Sequence, residues 1–312
     1  MEAFVKYALF AAVLATAALP LSPAQAAPAR VFVAAQGSDS NPCTFAQPCR
    51  TFQHAHDAVA AGGEIDVLDP AGYGALTITK SVSIQGHGFA GISAPNLGNG
   101  IFVSATAADD VSLNGVLIQG NGSIGQSGIF FLAARSLLVE NCVAQNVGFA
   151  GIRVESNAST AQTLAVSSSS FANNGYGIYV SPNSSGAIAA VIERIGLYRN
   201  GSGMYIDGQH GTGALGVAVT DSVSSNNTSF GFVVGSTAGH SVANLALTRV
   251  TATGNNVGIQ SGGTNATLRI AQSTITQNAT GYAIFAPILS LGDNFIDGNA
   301  GNSGMLTSVA RQ

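Results

Sequence analysis

From about residue 111 to the C-terminus, short apolar runs and polar bends recur at a nearly constant interval. The clearest marker is a glycine that opens one run per repeat: Gly128, Gly151, Gly177, Gly203, Gly231, Gly258, Gly281 and Gly304. Successive spacings are 23, 26, 26, 28, 27, 23 and 23 residues. Each glycine precedes an apolar residue (Ile129, Ile152, Ile178, Met204, Phe232, Ile259, Tyr282, Met305). The apolar signal returns two residues on as Phe131, Val154, Val180, Ile206, Val234 and Ile284, with Ser261 the exception. Period two marks a strand with one buried face, and a repeat of this length marks one supersecondary unit stacked on the next.

Two further series complete each repeat. Val111/Leu113, Leu137/Val139, Leu164/Val166, Leu215/Val217/Val219, Leu245/Leu247 and Leu268/Ile270 open the units as alternating strands. Between them and the glycine strands, Val143, Phe171, Leu197, Val223, Ala252, Ile275 and Ile296 are each followed three residues later by an asparagine. Those asparagines are Asn146, Asn174, Asn200, Asn226, Asn255, Asn278 and Asn299. Asparagine tolerates left-handed backbone and its amide can bond the next coil's equivalent, so the series reads as an inward ladder. Three strands per turn, about 4.8 Å from coil to coil, predict a parallel β-helix. The L-x-x-L-x-L spacing of leucine-rich repeats is absent, as is the helical periodicity of helix-pair arrays.

In these respects the chain resembles the right-handed parallel β-helix proteins of the pectin-lyase-like superfamily, over nearly its whole length. The expected fold is all-β, about 9–10 coils of three strands, with an N-terminal capping helix. Residues 27–312 are expected to form one domain: 30–63 an opening strand, disulfide loop and cap helix, 64–312 the coils. The segment RVFVAAQGSDSNPCTFAQPCRTFQHAHDAVAAGG resembles the opening of many secreted members. In it Thr51 is placed to cap a helix carrying Phe52, Ala55, Ala58 and Val59 on one face, and Gly62-Gly63 to end it. Such a helix would cover the open edge of the stack. No C-terminal counterpart is predicted, which leaves an edge suited to end-to-end self-association.

Residues 1–26 read as a secretory signal peptide, with Lys6, an apolar core from Tyr7 to Leu19, and Ala24-Gln25-Ala26 before cleavage. The protein is therefore expected to be secreted, or held in the periplasm or cell envelope, with no membrane span after cleavage. In an oxidising compartment Cys43 and Cys49, flanking a short Pro-containing loop, are expected to pair as a disulfide. Metal use of the pair with His54 and His56 is not expected, because residues two apart do not share a helical face, and no cofactor is predicted. Alternation beside Val143 would turn Cys142 outward, whereas a local bulge would bury it. Removal of residues 1–26 takes one Glu and one Lys, leaving the net charge at −4. Charged residues make up 8% of the chain, and with no basic stripe nucleic acid is excluded as a partner.

Candidate chemistry is thin. Gly86-His87-Gly88 resembles part of the polygalacturonase pattern, but Asp109-Asp110 follows it and no R-I-K exists, so it reads as a turn. Pectate lyases of this fold hold calcium with clustered acids. The outward first-sheet positions here are Ser112, Leu138, Ala165, Val191, Ala218, Ala246 and Arg269, too few oxygens for calcium. The bend beyond carries Glu193, Arg194, Asp221 and Arg249, catalytic candidates if Glu193 and Asp221 approach to about 5 Å as in retaining glycosidases. On the outer face of the glycine strands stand Phe130, Arg153, Tyr179, Tyr205, Val233, Gln260 and Ala283, with Glu155 and Asp207 two residues on. Arg153, Tyr179, Tyr205 and Asp207 are the candidate substrate-binding residues, the aromatic faces able to stack on sugar rings and Arg153 and Asp207 as their charged neighbours. The expected function is a non-catalytic binding or structural module with polysaccharide as the first ligand class. The alternatives are a polysaccharide lyase or glycoside hydrolase, and a surface protein assembling through its solenoid ends.

Overall fold

The computed structural model describes residues 26–310, so the signal-peptide prediction lies almost wholly outside the described residues. Each coil carries three strands, as in Gln162–Ser167, Ser170–Ala172 and Tyr176–Pro182. Each pairs in parallel with its equivalent one coil on: Leu164 with Ala190, Phe171 with Leu197, Ile178 with Met204. The first two strands of every coil merge into one folded sheet, and the third strands form a second sheet of nine. Inward residues of successive coils stack into one apolar column, including Leu164, Val166, Phe171, Ile178 and Val180, all at most 1% exposed. The glycine that opens each third strand is set by crowding. A Cβ on Gly177 would stand 2.5 Å from the carbonyl oxygen of Gly203 and 2.8 Å from Leu197.

Strand Arg30–Val33 pairs with Gly63–Val67 and begins the first sheet. Cys43 and Cys49 are bonded, and the bridge holds its loop against this strand, Phe32 N–H donating to Cys43 O and Cys49 N–H to Phe32 O. Thr51 Oγ1 accepts His54 N–H at 3.2 Å and caps the helix Phe52–Ala58, the single helix among the described residues. It stops at Ala58, earlier than the Gly62-Gly63 pair suggests, because Val59 is already extended. Its side chains close the edge of the second sheet: Gln53 Oε1 accepts Thr77 N–H at 2.9 Å and His56 Nε2 accepts Thr79 N–H at 3.3 Å. Buried His56 has its pKa lowered, mainly by that burial, so the neutral ring is the acceptor there.

Three expectations need correction. The ladder asparagine of the coil 223–227 is Asn227, not Asn226, and the coil 143–147 has Val147 in place of Asn146. In both coils the inward residue is one later than the more apolar one: Ala144 rather than Val143, Ser224 rather than Val223. Asn146 and Asn226 take the left-handed turn before it, at φ 56° and 55°. The same shift buries Cys142. Finally, Gly304 opens no third strand; the chain instead adds Thr307–Ser308 beside Ile288–Ser290 in the first sheet, and Met305 is exposed.

Among the described residues no helix is long and apolar enough to cross a membrane.

Candidate functional site

The outer face of the second sheet carries one line of side chains, a residue per coil: Phe102, Phe130, Arg153, Tyr179, Tyr205 and Val233. Phe149, from the bend that leads into one of these strands, and Tyr176, the first residue of the next, fold over the same face. Tyr179 sits at the centre, 8% exposed. Its ring lies 5.3 Å from Phe149, 5.2 Å from Tyr176 and 5.9 Å from Tyr205, edge-on or tilted to each. Its hydroxyl donates to Asp207 Oδ2 at 2.9 Å. The same oxygen is 3.3 Å from His210 Nε2, while Asp207 Oδ1 accepts Gln209 N–H at 3.0 Å. Burial pushes the phenols of Tyr179 and Tyr205 up, and the Asp207 charge adds to it.

Tyr179 and Asp207, singled out as contact residues, are thus interior members that hold the others. Around Tyr179 the rings left half-exposed are Tyr205, Tyr176 and Phe149, and Phe102 and Phe130 further along the line are half-exposed too. Tyr176 and Tyr205 are tilted by 31° with centroids 6.0 Å apart. At one border Arg153 lies over Phe130 at 4.3 Å and Phe149 at 4.7 Å and bonds Glu155 at 2.5 Å. Its buried Nε has no partner. The arrangement offers apolar ring faces beside charged hydrogen-bonding groups, the composition of sites that take amphipathic ligands. Phe149 escaped sequence reading because it precedes its strand, and Tyr176 because, as the first residue of its strand, it faces outward at a position whose alternation with Ile178 and Val180 points inward. His210 escaped because it sits in the following loop.

The bend after the first strands places Arg194, Asp221 and Arg249 on successive coils at φ 50°, 50° and 51°. Glu193 belongs to the strand end and pairs in register with Thr220, so it is offset from Asp221. Each acid has a cation: Glu193 bonds Arg194 at 2.5 Å, and Asp221 receives the Arg249 fork at 2.7 and 2.8 Å. Those bonds hold the Asp221 carboxyl below its ordinary range, the opposite of what a general acid needs. His87 stands in a left-handed turn at φ 54°, its Nε2 2.7 Å from Asp66 Oδ1. At the N-terminal loop the Cys43 and Cys49 sulfurs and a His54 nitrogen lie within 4.8 Å of one another, but the sulfurs are bonded to each other. The outward first-sheet line falls in register as expected, Leu138 beside Ala165, Val191, Ala218, Ala246 and Arg269.

The fold is that of a right-handed parallel β-helix. A model of the right-handed β-helix region matches residues 64–192 and 99–279, and the chain belongs to that family. Among solved structures it is similar to the Azotobacter vinelandii mannuronan C-5 epimerase AlgE4 A-module, at 13% identity and TM-score 0.48, covering 91% of this chain and 89% of that one. It is also similar to pectate lyase Pel9A, at 16% identity and TM-score 0.48, covering 90% of this chain and 77% of that one. These two likenesses are of fold. No curated protein sequence matches the chain.

Proposed function

We propose that this is a secreted or cell-envelope β-helix protein that binds polysaccharide through the aromatic patch on its second sheet. Phe149, Tyr176 and Tyr205 supply the ring faces, and Arg153 with Glu155 supplies the hydrogen bonds to hydroxyl or carboxylate groups. The observation that carries this reading is the pair of half-exposed rings, Tyr176 and Tyr205, held 6.0 Å apart by a buried tyrosine tied to a buried carboxylate. A surface held this way loses little side-chain freedom on binding. The disulfide at Cys43 and Cys49 supports an oxidising location.

Binding of the purified protein to a polysaccharide array tests the reading. Tyr205→Ala and Tyr176→Ala are each expected to weaken retention about tenfold or more, a loss of about 1.4 kcal/mol or more in binding. Tyr179→Phe, which keeps the central ring, is expected to retain most of it. Wild-type protein that binds no glycan on the array, or variants that bind as well as wild type, would reject the patch as a saccharide site.

A further inference from the structure

A second surface lies where the first strand of each coil turns into the short second strand. There a shallow groove of about 420 Å³ is lined by Ser168, Ser170, Arg194, Gly196, Tyr198 and Asp221. Gly196 stands in its row between Ser170 on one side and Val223 and Thr251 on the other, each of which carries a side chain. The Tyr198 ring folds back into the space this leaves, so that a Cβ on Gly196 would collide with the ring's edge. In the row of Tyr198 itself the flanking residues are Ala172 and Ser225, both too small to cover a ring. Tyr198 is accordingly 36% exposed, with the edge of its ring against Gly196.

Charge is arranged around it. Arg194 and Asp221 line the groove, Glu193 bonds Arg194, and Arg249 holds Asp221 from the next coil. Arg194 is also close enough to Asp221 to act on its carboxyl. Arg199, next to Tyr198 in the chain, uses its Nε on Asn173 Oδ1 at 3.2 Å. Three guanidinium groups thus stand against two carboxylates, with the hydroxyls of Ser168 and Ser170 beside them.

We infer that this groove is a second saccharide subsite, in which one pyranose ring stacks on Tyr198 while Arg194, Asp221 and the serine hydroxyls bind its hydroxyl or carboxylate groups. The ligand class rests on the reading above, but the groove is built from other coil faces and other residues. Two sites on separate faces make the protein bivalent, able to hold two polysaccharide segments at once.

The chain contains no tryptophan, so Tyr198→Trp places a single fluorescent reporter in the groove. The variant is titrated with a neutral hexasaccharide and a uronic-acid hexasaccharide, in the otherwise wild-type chain and in a Tyr205→Ala background. A saturable emission change with either sugar, retained with Tyr205→Ala and lost with Gly196→Ala added, is the expected result. The sugar that produces it tells whether hydroxyls alone or a carboxylate is recognised. Calorimetry on the chain without the reporter is expected to show two sites per protein, falling to one with Tyr198→Ala. No emission change together with unaltered stoichiometry in Tyr198→Ala, while Tyr205-dependent array binding persists, overturns the groove and leaves the patch standing. A signal that disappears with Tyr205→Ala overturns its independence. A two-to-one fall in Tyr198→Ala with a silent reporter supports the groove, since tryptophan alone then fails to fit.

Discussion

At the second bend, a buried asparagine points inward in each successive coil at 174, 200, 227, 255 and 278, and Asn299 continues the row; at the first bend, Cys142, Ser169, Ser222 and Ser273 are interspersed with Val116, Ile195 and Val250. Asn255 shows why the first kind runs unbroken. Its Oδ1 accepts both the backbone N–H and the amide of Asn227, at 3.0 and 2.8 Å, while its Nδ2 donates to Ser224 O and Asn278 Oδ1, each at 3.0 Å. A carboxamide has two donors and a two-lone-pair acceptor, enough to bond the coil before and the coil after. A hydroxyl has one donor. Ser222 uses it on Thr220 O at 2.6 Å and accepts Ile195 N–H at 3.2 Å, which satisfies one neighbouring coil only. Ser222 is flanked by Ile195 and Val250, with Ser273 serving Val250 as Ser222 serves Ile195, whereas Ser169 directly follows Cys142 in the row and accepts its N–H at 3.0 Å. Cys142 belongs to this series: its thiol donates to Glu140 O at 3.1 Å and accepts Val116 N–H at 3.4 Å. The chemistry of the inward side chain, not the backbone, decides whether a ladder continues.

The largest test of that difference is Asn255→Leu, which keeps the volume and strands the Asn227 N–H. A loss of about 3 kcal/mol in denaturant unfolding is expected; a loss below about 1 kcal/mol would mean the ladder is not what holds the bend. At the first bend Cys142→Val should cost about 1–2 kcal/mol, and Cys142→Ser less, because only serine retains the two bonds. Burial raises the Cys142 pKa from 9.0 to about 11. The unfolded chain therefore ionises first, so the thiol's stabilising contribution is complete below about pH 9 and is lost as pH rises to about 11. Unfolding midpoints of Cys142→Ser should fall less steeply than wild type across that range; parallel curves would count against the assignment. Ser261 offers the contrast of an inward hydroxyl in a strand, with no partner for its oxygen. Ser261→Ala should stabilise the protein by about 0.5–1 kcal/mol, and destabilisation would show that the hydroxyl is satisfied. Smallest of all is Arg249→Ala on the outer side of the first bend. Its pair with Asp221 is solvent-exposed, and neither the melting temperature nor its salt dependence should change measurably.

Much of this was legible in the chain and some was not, for identifiable reasons. Five of the seven predicted ladder asparagines occupy the ladder. The two misplaced ones, Asn146 and Asn226, fall where the inward residue is Ala144 or Ser224 and a more apolar valine stands one position earlier, so the hydrophobic cue points to the wrong register. A one-residue slip exchanges the faces of every side chain in the strand, which is why Cys142 was left open between burial and exposure. For the candidate patch, Arg153, Tyr179, Tyr205 and Asp207 were readable as one face because they keep the strand's alternation. Phe149 and His210 lie in bends and loops, whose side-chain directions follow no period, and Tyr176 opens its strand out of step with the alternation that follows.

The repeat, the three strands per coil, the strand-opening glycines as far as Gly281 and the cap helix follow from the amino-acid order alone, because each rests on local periodicity or on the limits of one residue type. The tertiary structure alone decided which aromatic rings are buried and which are presented, that Glu193 and Asp221 are each matched to an arginine, and that Tyr198 lies over Gly196. The aromatic patch and the Asp221–Arg249 pair depend on neighbours one or more coils away in the chain yet about one sheet spacing away in space, and the Glu193–Arg194 and Tyr198–Gly196 contacts on side-chain directions at a bend that no sequence period sets.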